Sequence, residues 1–129
     1  MSSKADNPAV DQTITPYFTV EDADRLIDFL VAAFGAKLVK ESRYQDNSIQ
    51  HARLVIGNSL IMLNQSTAEF AANVSQMHLY VEDADKAYLR ALDLGASALM
   101  APNDRPFGSR MAGVTDPCGN IWWLATQPS

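Results

Sequence analysis

The chain is poor in the residues that most often carry chemistry. It holds one cysteine, Cys118, and two histidines, His51 and His78, in 129 residues. One thiol excludes an internal disulfide and a thiolate zinc cluster. Cys118 also has no base beside it in sequence, which argues against a nucleophilic role. Positive charge is scarce: ten Lys and Arg stand against fifteen Asp and Glu, a net charge of −5 at pH 7. That balance argues against a nucleic-acid partner and, as far as a whole-chain charge reaches, favours a cationic ligand over an anionic one. No uninterrupted apolar run approaches the ~18 residues of a membrane span, so no membrane partner is implied. Residues 1–12 are polar, lack the apolar centre of a signal peptide and read as a disordered N-terminal tail, so the protein is expected to be cytoplasmic.

What the chain does have is a repeat. Val-Glu-Asp-Ala-Asp occurs at Val20–Asp24 and again at Val81–Asp85, 61 residues on. Each copy is followed by a helix-like stretch that closes on Gly-Ala, at Gly35-Ala36 and Gly95-Ala96, and later by Gly-Asn opening an apolar run, at Gly57-Asn58 and Gly119-Asn120. A period near half the chain implies two copies of one supersecondary unit, neither able to bury its apolar face well alone. The length suits one domain, 13–127, made of repeats 13–64 and 76–126, with a site where the copies meet.

Within the first copy, β-branched and aromatic residues predict a strand over Thr13–Val20. Glu21 to Asp24 supply helix-start carboxylates, Leu26, Phe29, Leu30 and Ala33 follow at helical spacing, and Gly35 is a stop. Strands follow at Lys37–Tyr44, His51–Ile56 and Leu60–Asn64, the first two joined by the turn residues Gln45 to Ser48. Gln65–Ser75 reads as a linker. The second copy predicts a strand at Gln76–Val81, a helix at Asp83–Leu94 and a short strand at Ser97–Met100. A loop at Pro102–Gly108 and strands at Ser109–Thr115 and Ile121–Thr126 complete it. The fold class is α+β, two βαβββ modules.

Tyr17-Phe18-Thr19-Val20-Glu21-Asp22, Phe34-Gly35-Ala36, His51-Ala52-Arg53-Leu54 and Ile56-Gly57-Asn58-Ser59 stand in order in the first copy. His78-Leu79-Tyr80-Val81-Glu82-Asp83, Phe107-Gly108-Ser109-Arg110 and Asp116-Pro117-Cys118-Gly119-Asn120-Ile121-Trp122-Trp123 stand in order in the second. Together they resemble the glyoxalase/bleomycin-resistance/extradiol-dioxygenase superfamily, the vicinal oxygen chelate fold, in its PhnB-like branch. The resemblance implies curled mixed sheets with a cleft, helices outside, and a homodimer. It also implies, for the metalloenzymes of the family, a divalent cation held by His, Glu or Gln from the first and last strands of each module. Those positions fall at Thr15, Met62, Gln76 and Trp123. Thr15 offers a weak neutral oxygen, Met62 a thioether and Trp123 no acceptor, so no metal and no other cofactor is expected.

Alternation places Gln76, His78 and Tyr80 on one strand face, where His78 either meets a ligand or bonds within the sheet. His51 and Arg53 share a face of their own strand. Trp122 and Trp123 are adjacent and must point oppositely, one into the core and the other to the ligand side, where it stacks on a planar or cationic group or merely fills space. Arg110 either clamps an anionic group or pairs with a surface acid. Tyr17, Met62 and Asn64 add wall and a hydrogen bond. The ligand-binding set is therefore Tyr17, His51, Met62, Gln76, His78, Tyr80, Arg110 and Trp123. The expected function is binding or sequestering an aromatic or cationic small molecule, of the antibiotic-resistance type. The alternative is a glyoxalase-like lyase or isomerase, or a dioxygenase, with His51 and His78 in a rearranged metal site.

Overall fold

The structure, a computed structural model, describes residues 12–127, and residues 1–11 of the expected tail lie outside them. The chain divides into two compact units between Asn73 and Val74. Each is a four-stranded mixed sheet carrying one helix, the α+β arrangement expected from the repeat.

The first unit runs β1 (Tyr17–Val20), α1 (Ala23–Phe34), β2 (Lys37–Arg43), β3 (Ile49–Ile56) and β4 (Ser59–Gln65). Its sheet order is β1-β4-β3-β2, with β1 parallel to β4 and the other pairs antiparallel. Helix α1 buries Leu26, Ile27, Phe29 and Leu30 against Phe18, Val20, Ala52, Leu54 and Leu63. Each such side chain taken from water contributes ~1.5–3 kcal/mol. The helix ends at Gly35, whose φ of +70° is the left-handed conformation that glycine adopts freely. In β3 the burial alternates, with Ala52, Leu54 and Ile56 under the helix and His51, Arg53 and Val55 on the opposite face.

The second unit runs β5 (Gln76–Tyr80), α2 (Ala84–Asp93), β6 (Ser97–Asp104), a 3₁₀ turn (Pro106–Gly108), β7 (Arg110–Thr115) and β8 (Ile121–Thr126). The order β5-β8-β7-β6 repeats that of the first. Its core is Trp122, Leu124, Val114, Ala112, Ala84 and Ala91.

The repeated pentapeptide is helix-start chemistry in both copies. Asp22 caps α1 by accepting from the Arg25 amide at 3.2 Å, and Asp83 caps α2 by accepting from Lys86 at 3.1 Å. A second support comes from the far end of each sheet. The Ala23 amide donates to Gln65 Oε1 at 3.0 Å, and the Ala84 amide to Thr126 Oγ1 at 2.8 Å. Gln65 and Thr126 are again 61 residues apart, but their residue types differ, which hid this half of the repeat from sequence.

Two elements depart from expectation. Strand β1 begins at Tyr17, not Thr13, because Pro16 has no N–H to give. Pairing starts with the Pro16 carbonyl, which accepts from the Met62 amide at 3.0 Å. The segment expected to end at Met100 and loop from Pro102 instead continues as strand to Asp104. A proline is tolerated there because β6 is a sheet edge, and the pairing register is irregular between Met100 and Asn103, the interval that holds Pro102.

Candidate functional site

The register makes the two copies directly comparable. Tyr17 lies beside Met62 and Arg53 beside Met62 in the first sheet. His78 lies beside Trp123 and Gly113 beside Trp123 in the second. Tyr17 therefore corresponds to His78, Met62 to Trp123 and Arg53 to Gly113. On the face away from its helix each copy carries a different chemistry.

In the second unit that face is aromatic and sulfur-rich. Trp122 is core, 2% exposed, and its indole N–H donates to Asp116 Oδ2 at 2.8 Å. Trp123 points the other way, and its indole N–H donates to Gln76 Oε1 at 2.8 Å. Its six-membered ring rests against Gly113: a Cβ placed there would stand 2.7 Å from Cζ3 and 2.9 Å from Cε3. Glycine at 113 is what lets the indole lie down on the sheet. Trp123 then lines a pocket of about 290 Å³ with His78, Met100, Arg105 and Met111. Beside it, His78 and Tyr80 form an edge-on pair with centroids 4.7 Å apart, and Tyr80 is 59% exposed. The structure thus brings Gln76, His78, Tyr80 and Trp123 together from the sequence-derived set. It adds Met100, Arg105, Met111 and Gly113. Gly113 was invisible in sequence because only the register shows what lies over it, and Arg105 lay in the segment read as a loop.

Arg110 does not join them. Its Nε donates to both Asp85 oxygens, at 2.9 and 3.2 Å, and its Nη1 to Asp104 at 2.9 Å. This is the surface ion pair of the two readings open in sequence, and at such exposure it adds little stability. Asp24, in the same place in the first copy, pairs with Arg43 at 2.8 Å. Its hydrogen bond to Arg43 holds its carboxyl below the ordinary range.

In the first unit the corresponding face is polar. Tyr17 Oη is 3.1 Å from His51 Nδ1, and Arg53 Nε donates to His51 Nε2 at 3.3 Å. A guanidinium N–H can only donate, so Nε2 is the acceptor and Nδ1 carries the proton. Nδ1–H then donates to Tyr17, whose own hydroxyl hydrogen is left for another acceptor. Burial first, then the charges of Arg53 and Lys40, keep His51 below the usual imidazole range. Tyr17 is shifted upward, by burial and then by Tyr44, so it stays a donor. Met62 sits between Tyr17 and Arg53 in this sheet. A wider hollow of about 860 Å³ lies between the β2–β3 turn and the segment after β4, lined in part by Tyr44, Asp46, Glu69 and Phe70. Sequence passed over it because both of its walls read as connections. One wall is already self-satisfied, since Asp46 Oδ1 accepts from the Ser48 amide and hydroxyl.

The family positions for a divalent cation can now be tested on their donors. Gln76 Oε1 is engaged by Trp123, Met62 presents sulfur, and Thr15 precedes the first strand. Both nitrogens of His51 are engaged, one by a cationic group. Among the described residues no three His, Cys, Asp or Glu side chains gather in a ligating group. This donor set does not fit a divalent metal.

A family model described as Glyoxalase/Bleomycin resistance protein/Dioxygenase superfamily matches residues 10–124. The chain belongs to that superfamily. Among curated relatives, Uncharacterized protein Mb0911c of Mycobacterium bovis is 33% identical over 130 residues, spanning 92% of this chain and 85% of the relative. Among solved structures, TioX from Micromonospora sp. ML1 superposes with a TM-score of 0.74 at 25% identity, over 89% of this chain and 98% of that one. The fosfomycin resistance protein FosX from Mesorhizobium loti superposes at 0.65 with 23% identity, over 90% and 92%. The latter likeness is one of fold. The superfamily arrangement of two βαβββ copies is thus present. Among the described residues no helix is long and apolar enough to cross a membrane.

Proposed function

We propose that the protein binds a small planar aromatic molecule against Trp123 and holds it without metal chemistry, as a sequestering member of the superfamily. The observation that carries this reading is the way Trp123 is fixed. Its N–H is tied to Gln76 and its ring is seated on Gly113, so the indole is held in place before any ligand arrives. Preorganisation of this kind lowers the entropy cost of binding. An aromatic wall flanked by two methionines suits a planar partner, because thioethers adapt to its outline and make favourable contacts with its edge. The volume falls just below the ~300–1,000 Å³ usual for ligand pockets, which favours one planar group over a large scaffold.

Of the aromatic and cationic ligands expected from sequence, Arg105 favours the aromatic. Arg105 is among the residues lining the pocket, and its positive charge disfavours a cation there. The PhnB-like branch and the homodimer remain part of this proposal and rest on the ordered sequence motifs. Tryptophan fluorescence titrated with a panel of neutral and anionic aromatic compounds tests the reading. Saturable quenching by at least one compound well below millimolar is expected, weakened at least tenfold in Trp123→Ala. Absence of any such ligand, or equal affinity in the variant, would overturn it.

A further inference from the structure

We propose that the polar face of the first sheet is an oxyanion site, taking a carboxylate or phosphate-type group through Arg53, Lys40 and the Tyr17 hydroxyl. Three observations carry it, none of which involves the Trp123 pocket. First, Lys40 on β2 and Arg53 on β3 are direct cross-strand partners. Like charges set opposite one another destabilise a sheet. In a chain of net charge −5 the usual relief is a neighbouring carboxylate, as Arg43 and Arg110 have. Among the described residues neither Lys40 nor Arg53 has an ion-pair partner. Among the described residues the guanidinium of Arg53 is engaged only through Nε, leaving its outer N–H groups to donate.

Second, the hydrogen-bond order is directional. Arg53 donates to His51, His51 donates to Tyr17, and among the described residues the Tyr17 O–H is left without an acceptor. A protonated imidazole could not sit in this chain, since Nε2 must accept. The result is a donor at each end of one short line, the phenol O–H and the guanidinium, with His51 as the spacer that sets their separation.

Third, Asn64 carries a buried Oδ1 without a hydrogen-bond partner. It pairs with Thr19 on β1 and shares the face of Met62, two residues away on β4. A buried unpaired acceptor costs ~1–3 kcal/mol unless something donates to it. A hydroxyl or amine borne by the bound molecule would do so, which narrows the ligand to a small acid that also carries a donor. A carboxylic acid and a phosphoryl compound present the same oxyanion, and the two are separated by experiment.

The test is an NMR titration of the ¹⁵N-labelled full chain at low, constant ionic strength, with inorganic phosphate in one arm and glycolate, a carboxylate that also carries a hydroxyl donor, in the other. Saturable shifts confined to Tyr17, His51, Arg53 and the strand amides around them are expected in at least one arm, and the stronger arm names the oxyanion. Arg53→Gln should weaken that binding at least tenfold, as loss of a charged hydrogen-bond donor does, and Tyr17→Phe severalfold. Lys40→Gln, on an exposed edge strand, provides a second loss of charge that leaves the Tyr17–His51–Arg53 line intact. Lys86→Gln, equal in charge but in the other unit, should leave binding unchanged. Shifts that stay linear in both arms, or an affinity equal in wild type, Arg53→Gln and Lys40→Gln, would overturn the site.

Discussion

At the scale of single residues, the two histidines illustrate how little a residue type says before its neighbours are known. His51 and His78 read from sequence as equivalent candidates. The structure gives His51 a fixed tautomer between a phenol and a guanidinium, and gives His78 an aromatic neighbour at a pocket wall. His51 is expected to titrate below the ordinary imidazole value of ~6.5. Because the folded value is depressed, the unfolded chain binds the proton more readily. The stability contributed by the neutral ring is complete above the unfolded pKa and drains away as pH falls below it. Arg53→Gln removes one of the two charges but leaves burial, the larger cause, and Lys40 in place. The midpoint followed by the His51 ring signals in NMR should therefore move upward without becoming fully ordinary.

Asp116 is a second case. An aspartate before Pro117, Gly119 and Asn120, between two strands, suits a turn, and its Oδ1 accepts from the Cys118 and Asn120 amides at 2.8 and 3.0 Å. Sequence gave no sign that Oδ2 also holds the indole of the core Trp122. Asp116 is 4% exposed and Asn120 fully buried, so truncation strands several buried donors. Asp116→Ala should cost about 3 kcal/mol in urea unfolding, and Asp116→Asn less, since its amide oxygen still accepts. Asn58, which matches Asn120 in the repeated Gly-Asn, is exposed, and its substitution by Ala should be near neutral.

At the scale of elements, the helices were legible because their signals are local. Asp22 and Asp83 cap them, and periodic apolar residues face the sheets. Asp22→Ala and Asp83→Ala should each lower stability by about 1 kcal/mol in thermal or urea melts. Strand ends were less legible, since pairing depends on partners distant in sequence. Pro102 reads as a strand breaker until β6 is known to be an edge. Gly113 is the clearest such residue: nothing beside it in sequence shows that an indole rests on it. In Gly113→Ala the added methyl meets Trp123 ring carbons, and overpacking of this sort costs ~1–3 kcal/mol unless the ring moves aside. The expected outcome is a changed Trp123 emission and a ligand affinity lowered at least severalfold, with the far-ultraviolet circular dichroism of the sheet retained.

At the scale of the whole molecule, the duplicated sequence laid out the architecture and its register almost completely, because a repeat of turns, caps and alternation is written in adjacent residues. The site was only partly legible. Counting from the pentapeptide found Gln76 and Trp123 but not that they bond to each other. The same fold framework carries Arg53 in one copy where the other carries Gly113. One copy is thereby left with a charged polar face, and the other with room for an indole. The net charge of −5 pointed to cationic ligands, whereas the local cations Arg105, Arg53 and Lys40 point the other way in each unit.

The central claim is that the indole of Trp123 is a ligand platform and not merely a filler. Equilibrium dialysis of a planar aromatic compound against wild type and Trp123→Ala, each with and without a metal chelator, tests it most directly. The account predicts saturable binding of one molecule per chain to wild type, indifferent to the chelator, and at least tenfold weaker in the variant. Binding that vanishes with the chelator, or that survives undiminished in Trp123→Ala, would contradict it.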